Sequence, residues 1–181
     1  LDALIKKLSK AKVLALDTET DSLDFTVANL VGISLCAKSG EAAYIPIQHD
    51  YEGAPKQLSK KIVIEKLKPL LEKVPVVGQH IKFDRNVLAQ HGLEINNIAS
   101  DSMLMSYVLD STATRHNLDA MAKFYLNYAT TTYEEVAGKG VKQISFNQVD
   151  LGAGSDYAAE DADVTFRCYE LLKEKLSLIH I

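Results

Sequence analysis

Residues 13–20 read Val13-Leu14-Ala15-Leu16-Asp17-Thr18-Glu19-Thr20, an apolar run that ends in two carboxylates. An uninterrupted apolar run of this length indicates a short β-strand that is buried on both faces. Side chains two positions apart in an extended chain point the same way, so Asp17 and Glu19 would project from one face. Two carboxylates held close together at the rim of a core repel each other unless a cation lies between them, and Mg²⁺ prefers such oxygen ligands. A polar turn that closes the strand is an equally good interpretation of this stretch taken alone.

The composition is that of a folded globular domain. The chain has 181 residues, enough for one domain with a substantial core, and 47% of them are hydrophobic. Its formal net charge of −4 argues against a general nucleic-acid binder, which would be strongly basic. Two bound Mg²⁺ ions would neutralise that charge, so acidity does not exclude a phosphate-containing substrate.

Nothing in the sequence points to a membrane or to export. We find no apolar run long enough to span a bilayer and no signal peptide, which predicts a cytoplasmic protein. Cys36 and Cys168 lie far apart without metal-type spacing and indicate buried thiols of a reducing compartment. The chain begins at Leu1 without an initiator methionine and ends in an apolar segment over 176–181, which suggests a piece of a longer protein or an added tail.

The order of the predicted elements indicates one α/β domain with a mixed central β-sheet flanked by helices. After a helix over 2–12 and the first strand, the predicted strands over 29–37 and 41–46 would pair as an antiparallel meander. Apolar spacing and turn residues predict further strands at 74–78 and 97–100. They also predict helices over 59–73, 117–127 and 156–176, one from near Asp84 to Gly92, and a loop over 138–154. A further helix is predicted to begin at Asp101, with Leu104, Tyr107 and Val108 on its apolar face.

Two further acidic clusters follow the first. Asp84 comes a few residues after the strand over 74–78, where a plain helix N-cap is the favoured interpretation if it is taken singly. In the segment 157–163, Tyr157 and Asp161 are four residues apart and would share one helix face. Asp163 would point away and Glu160 would be offset by about 100°, as expected of an acidic solvated face near a helix start.

Four carboxylates and one phenol on strand ends and helices suit a two-metal phosphodiesterase site. In such a site two divalent ions lie about 3.5–4 Å apart and bind the attacking and leaving oxygens, and Asp17 would bridge them. The sequence has no His/Cys cluster for zinc, no nucleophile-elbow serine, and no glycine loop of the Walker or Rossmann type.

Three motifs together resemble those of the DEDDy 3′–5′ exonucleases, and more closely the proofreading exonuclease domains of bacterial DNA polymerase I. They are Asp17-Thr-Glu-Thr-Asp-Ser-Leu23, Gly78-Gln-His-Ile-Lys-Phe-Asp84 and Tyr157-Ala-Ala-Glu-Asp-Ala-Asp-Val-Thr165. The likeness covers nearly the whole chain, including Ala137-Gly-Lys-Gly140 and Ser145-Phe-Asn-Gln148. It implies a ribonuclease H-like fold, a single exonuclease domain over 1–176, and a domain end or tail over 177–181.

The resemblance also implies the roles of individual residues. Two divalent ions, Mg²⁺ above all with Mn²⁺ or Zn²⁺ as alternatives, would be held by Asp17, Glu19, Asp84 and Asp161. Tyr157 would orient the attacking water together with Glu19. Contacts to the nucleic-acid strand are expected from Thr18, Leu23, Gln79, His80, Arg115 and Tyr133, with Leu23 against the terminal base.

The resemblance has one visible departure and leaves rival functions open. The family pattern has asparagine where this chain has His80, so His80 could contact a phosphate or could be a core histidine bonded to backbone. We expect removal of nucleotides from single-stranded or frayed DNA 3′ ends, in a bacterial monomer whose parent protein continues into a polymerase domain. An RNA-trimming enzyme of the ribonuclease D kind and a catalytically silent strand-binding module are the alternatives.

Overall fold

The structure, a computed structural model, describes residues 1–178 and consists of one mixed β-sheet with helices on both faces. The sheet has five strands in the order β3-β2-β1-β4-β5. The strands are β1 Leu14–Thr20, β2 Leu30–Cys36, β3 Ala42–Pro46, β4 Val76–Gly78 and β5 Ile98–Asp101. The helices of the described part are α1 Asp2–Leu8, α2 Lys60–Lys73, α3 Ile81–Gln90, α4 Ser102–Leu109, α5 Leu118–Leu126, α6 Tyr133–Ala137 and α7 Leu151–Leu178.

Strand β1 lies at the centre of the sheet. It pairs antiparallel with β2, which pairs antiparallel with β3, and it pairs parallel with β4, which pairs parallel with β5. The predicted meander and the predicted mixed sheet are therefore confirmed. Among residues 1–178 no helix is both long and apolar enough to cross a bilayer.

The two faces of β1 have different neighbours. Leu14 and Leu16 point into the larger core, which includes Val63 of α2 and Val87 of α3. Ala15 points to the other face and packs against α7. Because side chains alternate along a strand, Asp17 and Glu19 share the α7 face with Ala15, whereas Thr18 shares the α3 face with Leu16.

Helix α7 begins at Leu151, so the predicted loop over 138–154 is wrong for its last four residues. Glycines at positions 152 and 154 lower the helix propensity of this stretch, so the sequence did not indicate the first turn of α7. Asp150 compensates, because its Oδ1 accepts hydrogen bonds from the N–H of Gly152 at 2.9 Å and of Ala153 at 3.3 Å. The rest of the predicted loop contains two short 3₁₀ turns, Gly140–Lys142 and Phe146–Gln148.

The apolar face predicted for α4 is also wrong. Leu104, Tyr107 and Val108 are exposed, and the buried residues of this helix are Ser102 and Ser106. The Ser102 hydroxyl donates to the Gly78 carbonyl at 3.1 Å, and that of Ser106 is hydrogen-bonded to surrounding side chains. Hydrogen bonds thus allow polar side chains on the buried face of α4.

Helix α3 begins three residues before Asp84 because a distant side chain caps it. Its N-cap, His80, has a left-handed backbone and makes no side-chain capping bond. Asp101, at the end of β5, instead accepts the N–H groups of His80 at 3.2 Å and Ile81 at 3.0 Å. The remaining elements lie within two residues of their predicted bounds, with two exceptions. Helix α1 ends at Leu8, four residues before its predicted end, and α6 was not predicted. Ser177 and Leu178 belong to α7, and the rest of the predicted tail, 179–181, lies outside the described residues.

Candidate active site

Three of the predicted carboxylates come together on the α7 face of the sheet. Asp17, Glu19 and Asp161 each have an oxygen within 4.8 Å of the other two. Asp17 and Glu19 project from β1, and Asp161 comes from α7, which packs on that face. An arrangement of three carboxylate oxygens is the donor set that hard divalent cations such as Mg²⁺ prefer.

Asp84 is not one of the three carboxylates that lie within 4.8 Å of one another, but it is close enough for its charge to act on Asp17. It is buried in the first turn of α3, and its Oδ1 accepts hydrogen bonds from Thr18 N at 2.9 Å and Thr18 Oγ1 at 2.6 Å. The interpretation of Asp84 as a plain helix N-cap is therefore wrong. Thr18, expected to contact a strand, uses its hydroxyl to hold Asp84 beside β1.

Burial and mutual repulsion disfavour the charged forms of all four carboxylates. Burial raises the pKa of Asp17, which the charge of Asp84 raises further, and burial raises the pKa of Glu19, which Asp17 raises further. Burial and the charge of Asp17 likewise raise the pKa of Asp161. The pKa of Asp84 is raised by burial to about 7, although the hydrogen bonds from Thr18 oppose that shift. A cation would relieve this repulsion, so the four residues fit a divalent metal.

Tyr157 lies one helical turn before Asp161 and faces the carboxylate cluster. Burial raises its pKa, and the charges of Asp161 and Glu19 raise it further, so the phenol is neutral. Its ring packs edge-on against Tyr133, with the centroids 6.3 Å apart, and lies 5.9 Å from the ring of Phe146. Aromatic packing thus supports the side chain beside the carboxylates.

The cluster lies in a cleft of about 590 Å³. Leu23, 95% exposed, lies on the wall formed by residues 17–23, and Tyr133 lies on another wall. Seven further residues line the cleft and were not predicted as site residues: Thr20, Asp21, Ser22, Phe83, Gln143, Ile144 and Ser145. Residues 20–22 and Phe83 belong to the first two motifs, which marks them as neighbours of the carboxylates, whereas Gln143 and Ile144 reach the cleft only through long-range packing.

Three of the expected strand-contacting residues do not line the cleft: Gln79, His80 and Arg115. The Gln79 side chain is held within the protein, because its Nε2 donates to the His116 carbonyl at 2.7 Å and its Oε1 accepts from Ser102 Oγ at 2.6 Å. His80 and Arg115 are exposed. The alternative of a buried core histidine at position 80 is therefore wrong.

The other acidic residues near Asp161 have separate partners. Glu160 accepts hydrogen bonds from the Tyr128 hydroxyl at 2.6 Å and the Thr131 N–H at 2.7 Å. Asp163 points away from Asp161, as predicted, and accepts the Gly40 N–H at 2.6 Å. Both carboxylates accept hydrogen bonds from neighbouring loops. The prediction that they form a solvated acidic face is therefore wrong.

Comparison with known proteins assigns this chain to a family. The model of a 3′-5′ exonuclease family matches residues 1–177. DNA polymerase I of Pseudomonas aeruginosa is 50% identical over 182 residues, which cover 98% of this chain and 20% of that protein. The chain thus spans about a fifth of the length of that relative.

Solved structures share the fold at low sequence identity. A Brucella melitensis NrnC structure with bound Mg²⁺ has a TM-score of 0.65 at 19% identity, covering 95% of this chain and 77% of that one. Pol1 from M. smegmatis, with primer-template DNA and dNTP, has a TM-score of 0.73 at 15% identity, covering 99% of this chain and 27% of that one. The expected ribonuclease H-like fold is confirmed by this likeness and the sheet order. With the family model matched along residues 1–177, this chain belongs to the 3′-5′ exonuclease family.

Proposed function

We propose that this chain removes nucleotides from the 3′ end of single-stranded or frayed DNA by metal-dependent hydrolysis, and so proofreads newly made ends. The observation that carries this proposal is the group of three carboxylates within 4.8 Å of one another, beside Tyr157 in an open cleft. Membership of the 3′-5′ exonuclease family supports the direction of cleavage. Identity of 50% to a DNA polymerase I supports DNA as the substrate.

The protein's own groups have distinct roles in the proposed reaction. Asp17, Glu19 and Asp161 would hold one divalent cation, expected to be Mg²⁺, and Asp17 with Asp84 would hold a second. When bound, the two cations would supply the charge that activates a water molecule and stabilises the departing 3′ oxygen. Thr18 donates to Asp84 Oδ1, so Asp84 Oδ2 is the oxygen available to a cation.

Tyr157 and Glu19 would orient the attacking water. The neutral Tyr157 hydroxyl can donate one hydrogen bond and accept another, and the Glu19 carboxylate can accept from the water. The water oxygen bonds to phosphorus as the bond from phosphorus to the 3′ oxygen breaks. That oxygen then takes a proton, and a nucleoside 5′-monophosphate leaves.

The cleft walls favour stacking over ion pairing with the strand. None of the described residues that line the cleft is lysine or arginine, whereas Leu23, Ile144 and Tyr133 offer apolar and aromatic surface. Bases stack on such side chains without sequence preference. Terminal bases would therefore be held by Leu23 and its neighbours, and mismatched ends would enter more often because they cost less to melt.

Incubation of the chain with 5′-labelled single-stranded DNA tests the function. We expect shortening from the 3′ end in Mg²⁺, none in chelator, and none with Asp17→Ala, which serves as a folded control if its circular dichroism is unchanged. Faster cleavage of an RNA of matched sequence would favour the RNA-trimming alternative. Absence of cleavage by the native chain in Mg²⁺ would favour the silent module.

We also propose that residues 1–176 form a single exonuclease domain and that a polymerase domain follows in the parent protein. The length of the Pseudomonas aeruginosa relative, about five times that of this chain, supports this arrangement. The DNA downstream of the codon for residue 181 tests it, because the reading frame should continue into a polymerase sequence. A stop codon directly after that position would contradict the proposal.

A further inference from the structure

The hydroxyl of Ser34 is buried without a hydrogen-bond partner. Ser34 lies in the middle of β2 with no exposed surface. Among the described residues, Ser34 and Thr165 are those whose buried side-chain oxygen has no partner. Leaving a buried hydroxyl unsatisfied costs stability, so such a group calls for a specific explanation.

The sheet register puts Ser34 directly beside the carboxylate cluster. Asp17 of β1 is the cross-strand partner of Ser34, and Tyr44 of β3 is its partner on the other side. Directly opposed residues of an antiparallel pair point to the same face, with their Cβ atoms about 4.5–5.5 Å apart. Ser34 therefore lies between Asp17 and Tyr44 on the face that α7 covers.

The Tyr44 hydroxyl does not compete with the Ser34 hydroxyl to donate a hydrogen bond to Asp17. Its hydroxyl lies 2.8 Å from His49 Nε2, and His49 Nδ1 lies 3.0 Å from the Val149 carbonyl oxygen. A carbonyl can only accept, so Nδ1 carries the proton and Nε2 accepts from the Tyr44 hydroxyl. The one proton of Tyr44 is thus used by His49, and Ser34 remains the donor beside Asp17 in the sheet.

We propose that Ser34 is a positioning residue for Asp17, whose hydroxyl donates a hydrogen bond to the Asp17 carboxylate when the cluster holds a divalent cation. The inference rests on the proposed function, because it assumes that Asp17 is a ligand of that cation. A donor behind a carboxylate ligand fixes the orientation of the ligand and leaves the other oxygen for the metal. The hydroxyl that is unsatisfied beside Asp17 is the group needed for this bond.

Magnesium affinity of the DNA-free chain tests the proposal, measured by isothermal titration calorimetry and by the rise in melting temperature with Mg²⁺. Ser34→Ala should bind Mg²⁺ about tenfold more weakly, because loss of such a partner typically costs about 10–100-fold. Without Mg²⁺ the variant should melt at or above the native temperature, since it removes an unsatisfied hydroxyl. If Ser34 had a purely structural role, Ser34→Ala would lower the melting temperature without Mg²⁺ and leave the Mg²⁺ affinity unchanged.

Thr165→Val is the matched control. Thr165 has the other buried, unpartnered hydroxyl, one turn beyond Asp161 on α7, and it does not line the cleft. This variant should bind Mg²⁺ with native affinity. Native affinity in Ser34→Ala, or equal weakening in both variants, would overturn the positioning role alone. No binding of Mg²⁺ by the native chain would overturn both the positioning role and the proposed cation site.

Discussion

At the residue scale, the proposed roles of Tyr157 and Asp17 differ in kind. Tyr157→Phe removes only a hydroxyl that orients water, so we expect kcat to fall by roughly 10²-fold, at the lower end of the effect of such groups. Magnesium affinity should stay at the native value because the three clustered carboxylates are intact. Single-turnover cleavage with a parallel Mg²⁺ titration checks this. A large loss of Mg²⁺ affinity in Tyr157→Phe would contradict the division of roles.

His80 is the expected departure from the family pattern, and its backbone conformation explains what the position requires. Its φ of 56° and ψ of 43° lie in the left-handed region, where asparagine and histidine are tolerated and branched residues are strained. We expect His80→Asn to unfold at the native urea concentration or slightly above it. His80→Val should lose about 1–2 kcal/mol of unfolding free energy, which is the cost of that backbone for a branched side chain.

Urea denaturation of both His80 variants measures this difference. Equal stability of the asparagine and valine variants would mean that the left-handed backbone is not what restricts the residue. The contact of His80 with a phosphate stays a prediction, because His80 is exposed but is not among the residues that line the cleft.

At the scale of single elements, the first turn of α7 depends on Asp150. Its carboxylate accepts the N–H groups of Gly152 and Ala153 in a turn weakened by glycine. Asp150→Ala should lower the unfolding free energy by about 1 kcal/mol, as loss of an N-cap does. Cleavage should change little, since Tyr157 and Asp161 lie beyond that turn. Urea denaturation checks the prediction, and Glu170→Ala, which removes an exposed carboxylate from α7, shows what a non-capping loss costs.

The elements also indicate what sequence patterns can predict. Apolar spacing located α4, but its buried stripe carries Ser102 and Ser106, whose burial depends on partners elsewhere in the chain. The start of α3 was misplaced for the same reason, because Asp101 caps it from β5. Patterns predict elements well where the core selects apolar side chains. They fail where a distant polar group satisfies an element's end or face.

At the scale of the whole molecule, the same limit separates two parts of the candidate site. Alternation along β1 and the four-residue spacing on α7 were enough to predict that Asp17 and Glu19 share one face and that Tyr157 and Asp161 share another. The position of Asp84 could not be predicted, because it depends on how α3 packs against β1 and on the hydrogen bonds that Thr18 donates. The cleft wall at Ile144 depends likewise on how the chain over 138–150 folds back.

The buried carboxylates predict that the metal-free protein loses stability as the pH rises. Burial raises the pKa of Asp84 from 3.8 to about 7 and raises the pKa values of Asp17, Glu19 and Asp161. A carboxyl with a raised folded-state pKa binds its proton more tightly when folded. The contribution of these carboxyl groups to the unfolding free energy is therefore largest below about pH 4. It falls as the pH rises, until the pH exceeds their pKa values in the folded state. For Asp84 alone, the loss is on the order of a few kcal/mol.

Magnesium should oppose this loss, because it binds the deprotonated carboxylates and stabilises the folded state by mass action. In chelator we expect the melting temperature to fall between about pH 5 and pH 8, and in Mg²⁺ to fall much less, so that the stabilisation by Mg²⁺ is largest at about pH 8. A variant with both Asp17→Asn and Asp161→Asn should show a weaker pH dependence and little response to Mg²⁺. Equal Mg²⁺ stabilisation of the native chain and this variant would mean that the cation binds outside the carboxylate cluster, and the repulsion among these carboxylates would then need another counter-charge.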